Sequence, residues 1–269
     1  MATEQGDTMV QDVLPPTATA NPSSRASATA TPCPICHAPS HDCFEKDGYT
    51  IVQCTKCDFL FVHPMPSDAQ IMEYYATNYR AASADFYPKD RSRRWRAFWR
   101  SLPFIPYIFN RDIADLGCGG GHMLAALCRF ARSGVGVDVS ANSIAFAKNH
   151  FPRQTFFAEG LTAFANRGKQ FDFVFSSELL EHLRSPDEFM TTVHAITKRG
   201  SVVYLSAPDA GHHTTPANLA EWSDICPPEH LQWFNEKNLN MLFAQYGFEP
   251  MKRHRKSTPA HSAFFRRIR

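Results

Sequence analysis

The chain has 269 residues, of which 43% are hydrophobic and 20% charged, and its formal net charge is +2. That length accommodates one large or two unequal domains, and the composition excludes a wholly disordered, collagen-like or simple repeat protein. No apolar run reaches the roughly 18 to 20 residues that a membrane span needs, and the polar start lacks a signal-peptide core, so a cytoplasmic protein is expected.

The small net charge conceals a division. Residues 91–100 carry five Arg and residues 251–269 carry seven Lys or Arg, with no acid in either window, so the remaining body is net acidic. Two basic surfaces suit an anionic substrate, a phosphorylated carrier, nucleic acid or an anionic membrane surface; a solvated helix face and a charged tail are the bland equivalent.

In chain order, residues 1–31 are rich in Ala, Thr, Ser and Pro, with too little large apolar surface to offset the entropy of ordering, and read as a disordered tail. Residues 32–66 read as a small module. Cys33 and Cys36 form one C-x2-C pair and Cys54 and Cys57 another. Two tight turns that each present two thiolates can close a tetrahedron, which predicts structural Zn2+; disulfides are the rival, disfavoured without a secretory signal. Four thiolates leave no open position for a catalytic water, so this metal is architectural. Cys43, His37 and His41 are read as neighbours rather than ligands. Modules of this kind also bind nucleic acids or proteins, so the module by itself leaves function open.

Residues 67–109 read as a helical linker or lid. A helix is expected over Pro66–Tyr79, while Tyr87–Phe109, cut by Pro88, Pro103 and Pro106, has no element assigned. From residue 110 to 269 short apolar runs alternate with amphipathic stretches. Strands are expected at DIADLG, GVGVDVS, TFFAEG, FDFVFSS and SVVYLSAP, near Phe248–His254 and near Ser262–Ile268. Helices are expected at HMLAALCRFAR, ANSIAFAKNHF, Pro186–Thr197 and Glu236–Tyr246. This alternation argues for an α/β fold with a mostly parallel sheet covered on both faces. The long connection Asp209–Phe234 lies beyond a strand's C-terminal end, the edge where open sheets bind ligands.

The turn Asp115-Leu116-Gly117-Cys118-Gly119-Gly120-Gly121 joins a strand to a helix. Glycines let the backbone approach a ligand there, and the helix start supplies amide donors. A second strand ends in Asp138, where an acid can accept both hydroxyl hydrogens of a ribose. A nicotinamide dinucleotide would fit that pattern, but a carboxylate at Asp115 is poorly placed beside a pyrophosphate and well suited to a cationic amino-acid group.

With these motifs, and with FDFVFSSELLEHL, SVVYLSAPD and PPEHLQWF, residues 110–269 resemble the class I S-adenosylmethionine-dependent methyltransferases. The cysteine module and MPSDAQIMEYY resemble an N-terminal extension found in one branch of that family. The resemblance implies a Rossmann-like seven-stranded sheet whose last strand runs antiparallel. It also implies that Asp115 orients the methionine amine, that Gly117, Gly119 and Gly121 let the cofactor pack on the backbone, that Asp138 holds the ribose and that Glu159 approaches the adenine amine.

Glu178, Glu181 and His182 follow the fourth strand of that sheet. In a helical turn, Glu181 and His182 would share a face with Glu178 at i+3 and i+4. The cluster resembles the divalent-metal motif of ubiquinone-biosynthesis O-methyltransferases and of plant small-RNA terminal methyltransferases. His230 corresponds to a further ligand in the latter, and Mg2+ is the candidate ion. Such a metal would bind a substrate hydroxyl and lower its pKa. In the alternative, the two Glu make cofactor-side or cap interactions and His182 or His230 acts as general base. Tyr75 and Tyr79 are candidate pocket residues, and Trp222 is read as packing. These features together predict methyl transfer to a small-molecule or carrier-linked acceptor, most readily at oxygen. RNA methylation and a non-catalytic zinc-bearing interaction protein stand as the alternatives.

Overall fold

The computed structural model describes residues 31–78, 90–251 and 257–269. The expected N-terminal tail therefore lies outside the described residues, apart from Thr31. The cysteine module forms an antiparallel meander of β1 (Ser40–Lys46), β2 (Tyr49–Cys54) and β3 (Leu60–Val62). Asp47 and Gly48 join the first two strands with positive φ at both positions (52° and 81°), the backbone that a two-residue hairpin turn requires. Alternation then separates two faces. Val52 and Phe61 enter the main core, whereas Ile51, Leu60 and Val62 pack with Trp222, Ile225, Leu231 and Trp233. Trp222 is thus a packing residue.

Helix α1 (Asp68–Asn78) begins with a capping exchange, in which the Ser67 amide donates to Gln70 Oε1 (2.9 Å) and the Gln70 amide to Ser67 Oγ (3.3 Å). The Arg-rich stretch, read as part of a helical linker without element bounds, forms α2 (Asp90–Ser101). Its proline-containing continuation makes a 3-10 turn, Leu102–Phe104, and α3 (Ile105–Ile108), and Phe104 packs edge-on against Phe175 and Tyr204. Prolines near helix starts cost no backbone hydrogen bond, so they shape this segment without breaking it.

The remaining elements are β4 (Asp112–Leu116), α4 (His122–Leu127), β5 (Ser133–Asp138), α5 (Ala141–His150), β6 (Thr155–Ala158), α6 (Leu161–Ala165) and β7 (Phe171–Ser177). They continue with α7 (Pro186–Ala195), β8 (Thr197–Ser206), β9 (Gln232–Trp233), α8 (Glu236–Gln245), β10 (Phe248–Pro250) and β11 (Ala263–Arg267). Seven strands form one sheet in the order β10-β11-β8-β7-β4-β5-β6. The five from β8 to β6 are parallel to their neighbours, and β11 runs antiparallel to both β8 and β10, as the resemblance implies. Ile113, Phe173 and Phe175 face one apolar layer, and Ala114, Leu116 and Val174 face the other, so the central strands are buried on both sides.

Local chemistry sets the helix limits. Ser140 and Ser185 cap α5 and α7 by accepting from Ser143 and Asp187 amides, and Asn235 and Asn238 exchange side-chain and backbone bonds at the start of α8. The helix expected over residues 122–132 stops at Leu127, because Arg129 and Phe130 amides turn back to the carbonyls of Ala126 and Leu127. The tightened turn delivers Arg132 to Asp112. Helix α6 was not anticipated.

The cysteine module is joined to the larger sheet's connections. β9, from the long loop after β8, pairs with β3 as the fourth strand of the small sheet. Ile35, Phe59 and Phe61 share a core with Phe234, Leu239, Leu242 and Phe243. Among the described residues no helix is long and apolar enough to cross a membrane.

Asp112 accepts hydrogen bonds from Arg132 Nε (3.0 Å) and Ser133 Oγ (2.7 Å), and the Arg132 and Ser133 bonds hold its carboxyl down at about 2. A carboxyl lowered on folding stabilises the protein above its unfolded pKa of about 4, and that contribution fades as pH falls toward 2. Asp112→Asn is therefore expected to lower stability at neutral pH, with the gap to the parent narrowing below pH ~4. Urea unfolding across pH checks this; a gap independent of pH would place its origin elsewhere.

Candidate functional site

Strand order reverses at β4, with β5 on one side and β7 on the other, so a crevice opens beyond the C-terminal ends of these strands. The glycine turn lies there. Gly117, Gly119 and Gly121 all have positive φ, and the amides of Gly117 and Cys118 both donate to the Val137 carbonyl (2.9 and 3.0 Å), which fastens the turn to β5. At Gly121, φ is 76° and an added Cβ would lie 2.7 Å from the Phe156 ring, so both backbone and space require glycine.

Two carboxylates flank this turn. Asp138 Oδ2 accepts from the Gly119 amide and Oδ1 from the Ser140 amide, both at 2.9 Å. Each oxygen retains a further lone pair, so the group is oriented yet can still accept ribose hydroxyls. Asp115 is 3% exposed, and its Oδ2 has no hydrogen-bond partner. Burial, reinforced by Asp138, raises its carboxyl well above the ordinary range. A buried orphan acceptor beside a glycine turn fits a cationic amine, which would restore the carboxylate. Glu159, by contrast, is engaged by Arg167 at 2.6 and 2.8 Å, and that guanidinium also covers the Phe157 ring. Its carboxylate is thus paired with Arg167, while each oxygen keeps a further lone pair for the adenine amine that the resemblance implies.

The second cluster lies after β7. Glu178 adopts φ 55°, and only Leu180–His182 form a helical turn, of the 3-10 type. The shared α-helical face expected for Glu178, Glu181 and His182 is therefore absent. The Glu178 amide donates to the Ser206 carbonyl (2.9 Å), and the Ser206 hydroxyl donates to Glu178 Oε1 (3.1 Å), which draw Glu178 toward β8.

Glu181, His182 and His230 do converge, with one ligand atom from each within 4.8 Å of the others. Glu181 is fully buried and neither carboxylate oxygen has a hydrogen-bond partner; burial, then Glu178, raises its carboxyl well above the ordinary range. His182 Nδ1 donates to the Glu229 carbonyl and His230 Nδ1 to the Asp224 carbonyl, each at 2.7 Å. Both bonds fix the tautomer with a lone pair on Nε2. Burial, then His230, lowers the His182 pKa and keeps the ring neutral. A carboxylate and two oriented imidazoles suit a first-row transition-metal dication; they fit Mg2+ poorly, since that ion favours oxygen ligands and water.

The sequence reading missed Gln232. Its buried amide nitrogen donates to the carbonyls of Leu180 (2.7 Å) and Leu183 (2.9 Å), while the Leu231 amide donates to the Glu181 carbonyl (2.8 Å). These bonds clamp the turn bearing Glu181 and His182 onto β9. The only signal was its place two residues after His230. Of the pocket candidates, Tyr75 belongs to α1, and Tyr79 lies outside the described residues.

The four cysteines also converge. Cys33 and Cys57 sulfurs are 3.7 Å apart, Cys36 and Cys57 3.6 Å, and Cys36 and Cys54 3.3 Å, close to the ~3.8 Å edge of a tetrahedron of zinc thiolates. His37 and Asp58, each following a C-x2-C pair, have φ near 58° and 59°, so the two halves repeat one knuckle geometry. Amides of Ile35 and Lys56 point at Cys33 and Cys54 sulfurs, at 3.4 Å each. The cluster is compatible with zinc. Cys43, His37 and His41 stand outside it.

Residues 72–252 match a family model described as methyltransferase domain, a segment that starts after the cysteine cluster. Ubiquinone biosynthesis O-methyltransferase of Brucella ovis is 32% identical over 113 residues, covering 36% of this chain and 46% of that protein. The protein of the same description from Roseobacter denitrificans is 27% identical over 179 residues, covering 54% and 67%. The chain thus spans about half the length of the Brucella relative. Among solved structures, magnesium protoporphyrin IX methyltransferase of Synechocystis PCC 6803 with bound SAH gives a TM-score of 0.54 at 16% identity, over 75% of this chain and 100% of that one. A Listeria monocytogenes protein described as a putative S-adenosylmethionine dependent methyltransferase gives 0.51 at 14% identity, over 66% and 100%. These two likenesses concern the fold.

Truncating Gln232 would remove the side-chain donor from the Leu183 carbonyl and leave the Leu180 carbonyl with the longer bond from the Leu183 amide (3.3 Å) alone. Gln232→Ala is expected to cost about 2–3 kcal/mol of stability in urea unfolding, and the Asp138 region, which shares no bond with it, is expected to keep its ligand affinity. A loss below ~0.5 kcal/mol would show that the clamp does not hold the turn.

Proposed function

The chain belongs to the methyltransferase-domain family, and on that premise we propose that it transfers the methyl group of S-adenosylmethionine to an oxygen of a small-molecule or carrier-linked acceptor. The observation that carries the oxygen reading is the buried Glu181 carboxylate facing two histidines whose Nδ1 atoms are committed to backbone carbonyls. Ubiquinone biosynthesis O-methyltransferases among the relatives support it.

In this reading Asp138 accepts the ribose hydroxyls, the glycine turn lets the cofactor lie against the backbone, and Asp115 receives the methionine ammonium. The sulfonium methyl is intrinsically reactive, so the residues contribute alignment of acceptor oxygen, methyl carbon and sulfur, exclusion of water and removal of a proton. Glu181, His182 and His230 would hold a divalent transition-metal ion, with Glu178 as a neighbouring acid. When bound, that ion lowers the pKa of an acceptor hydroxyl. The Nε2 of His182 or His230 is the protein's own proton acceptor where it is not engaged as a ligand. Cys33, Cys36, Cys54 and Cys57 would hold structural Zn2+, whose charge makes four thiolates compatible with burial, the main reason the Cys33 thiol is pushed up to about 11.

Calorimetry with S-adenosylhomocysteine tests the cofactor site without knowledge of the acceptor. Binding in the micromolar range, about −8 kcal/mol, is expected, and Asp138→Ala should weaken it by about tenfold or more through loss of the ribose contact. No binding by a folded parent would defeat the proposal.

Titration with Mn2+ tests the second cluster. His230→Ala should abolish binding of the ion while leaving S-adenosylhomocysteine affinity intact, and Mg2+ should bind more weakly than Mn2+. Equal ion affinity in parent and variant would remove the metal from the proposal.

Zinc content gives a further check. Cys33→Ser/Cys36→Ser is expected to lose stoichiometric zinc and several kcal/mol of stability; zinc retained at one equivalent would overturn the ligand set.

A further inference from the structure

We propose that helix α2 is a peripheral membrane contact whose exposed face enters the headgroup layer of an anionic lipid bilayer. Of the six large apolar side chains most exposed among the described residues, Trp95, Trp99 and Phe109 fall in the segment containing α2 and α3. Trp95 is 63% and Trp99 53% exposed. Indoles are ordinarily buried, and two left in water side by side form a patch that is satisfied where apolar and polar surroundings meet.

The helix is built with two opposed faces. Ala97 and Ser101 are buried and α2 packs on α4, while Phe98 is half-buried beneath the Arg129 guanidinium. Arg94, itself exposed, pairs with Asp90 (2.6 Å) and lies over the Phe151 ring. At 100° per residue, Trp95 and Trp99 lie together on the outer face, with Arg91 on one flank and Arg96 and Arg100 on the other. All three flanking arginines are exposed, and Asp90 at the first position is the single acid of the helix. Cationic side chains beside interfacial aromatics complement phosphate-bearing headgroups.

The ring geometry favours lipid over single-stranded nucleic acid. The two indoles meet edge to face, with centroids 5.4 Å apart and an interplanar angle of 75°. They therefore cannot offer successive stacked bases a common platform, which is what an aromatic nucleic-acid surface supplies. Immersion in a headgroup layer makes no such demand. Twelve residues span about 18 Å, enough for a reversible surface contact and too short to cross. Asp90 also accepts a 2.8 Å hydrogen bond from His122 Nε2 at the first residue of α4, so the proposed lipid-facing helix is tied to the residue next to the glycine turn.

The test is co-sedimentation of the full chain with phosphatidylcholine vesicles, with and without phosphatidylglycerol, at physiological salt. Binding is expected to the anionic vesicles with a blue shift of tryptophan emission; Trp222 and Trp233 are buried, so Trp95 and Trp99 report the shift. Trp95→Ser/Trp99→Ser should lower vesicle affinity about tenfold or more, and Arg96→Glu/Arg100→Glu should abolish the preference for anionic lipid. Circular dichroism of each variant, matched to the parent, shows that the fold is intact. Absence of binding to anionic vesicles, or undiminished binding by the folded tryptophan variant, overturns the proposal. Binding of a single-stranded RNA oligonucleotide that these substitutions abolish, with no vesicle binding, assigns the face to nucleic acid instead.

Discussion

A two-residue strand holds distant parts of this protein together. Gln232 and Trp233 pair in the backbone with Phe61 and Leu60, which closes the small sheet of the cysteine module. The Gln232 side chain simultaneously satisfies two carbonyls around the turn that carries Glu181 and His182. Trp233 Nε1 donates to the Asp224 carbonyl, the same oxygen that orients His230. The cysteine cluster is therefore a buttress. It fixes the outer side of the candidate site through backbone bonds and shared core, without offering it a chemical group.

Electrostatics gives the crevice two regions with a common logic. Asp115 and Glu181 are both buried, each has at least one oxygen without a hydrogen-bond partner, and both are pushed toward protonation by burial and a neighbouring acid. A protein can afford an isolated buried carboxyl of this kind when a cation completes it. In the proposed reading the cation beside the glycine turn is an amine, and beside the two imidazoles, whose Nδ1 atoms are held by carbonyls, it is a metal ion.

Much of this arrangement is legible in the amino-acid order where the signal is local. The glycines of the turn encode positive φ, the alternation of apolar strand and amphipathic helix encodes the doubly covered sheet, and the C-x2-C pairs encode two knuckles. What escaped the sequence depends on distant partners or on competing local patterns. Nothing near Gln232 announces that β9 joins β3, because a two-residue strand has no periodicity. Glu178 to His182 reads as one helical face, yet pairing with Ser206 draws Glu178 away and leaves a single 3-10 turn. The Arg-rich α2 reads only as part of a helical linker, because charge on several faces and the prolines around it hide its bounds. Glu159 has the right place in the chain for a cofactor contact, and only the fold reveals Arg167 beside it.

The pairing of β3 with β9 also orders events during synthesis. The partner strand follows β3 by about 170 residues, and at about 5–20 residues per second a ribosome needs roughly 10–30 seconds to supply it. Throughout that interval Leu60, Phe61 and Val62 present an apolar strand with one unpaired edge, the feature that nascent chains must shield from self-association. A knuckle closed early around its four sulfurs would hold this short hairpin in shape while the remainder of its sheet is still being translated.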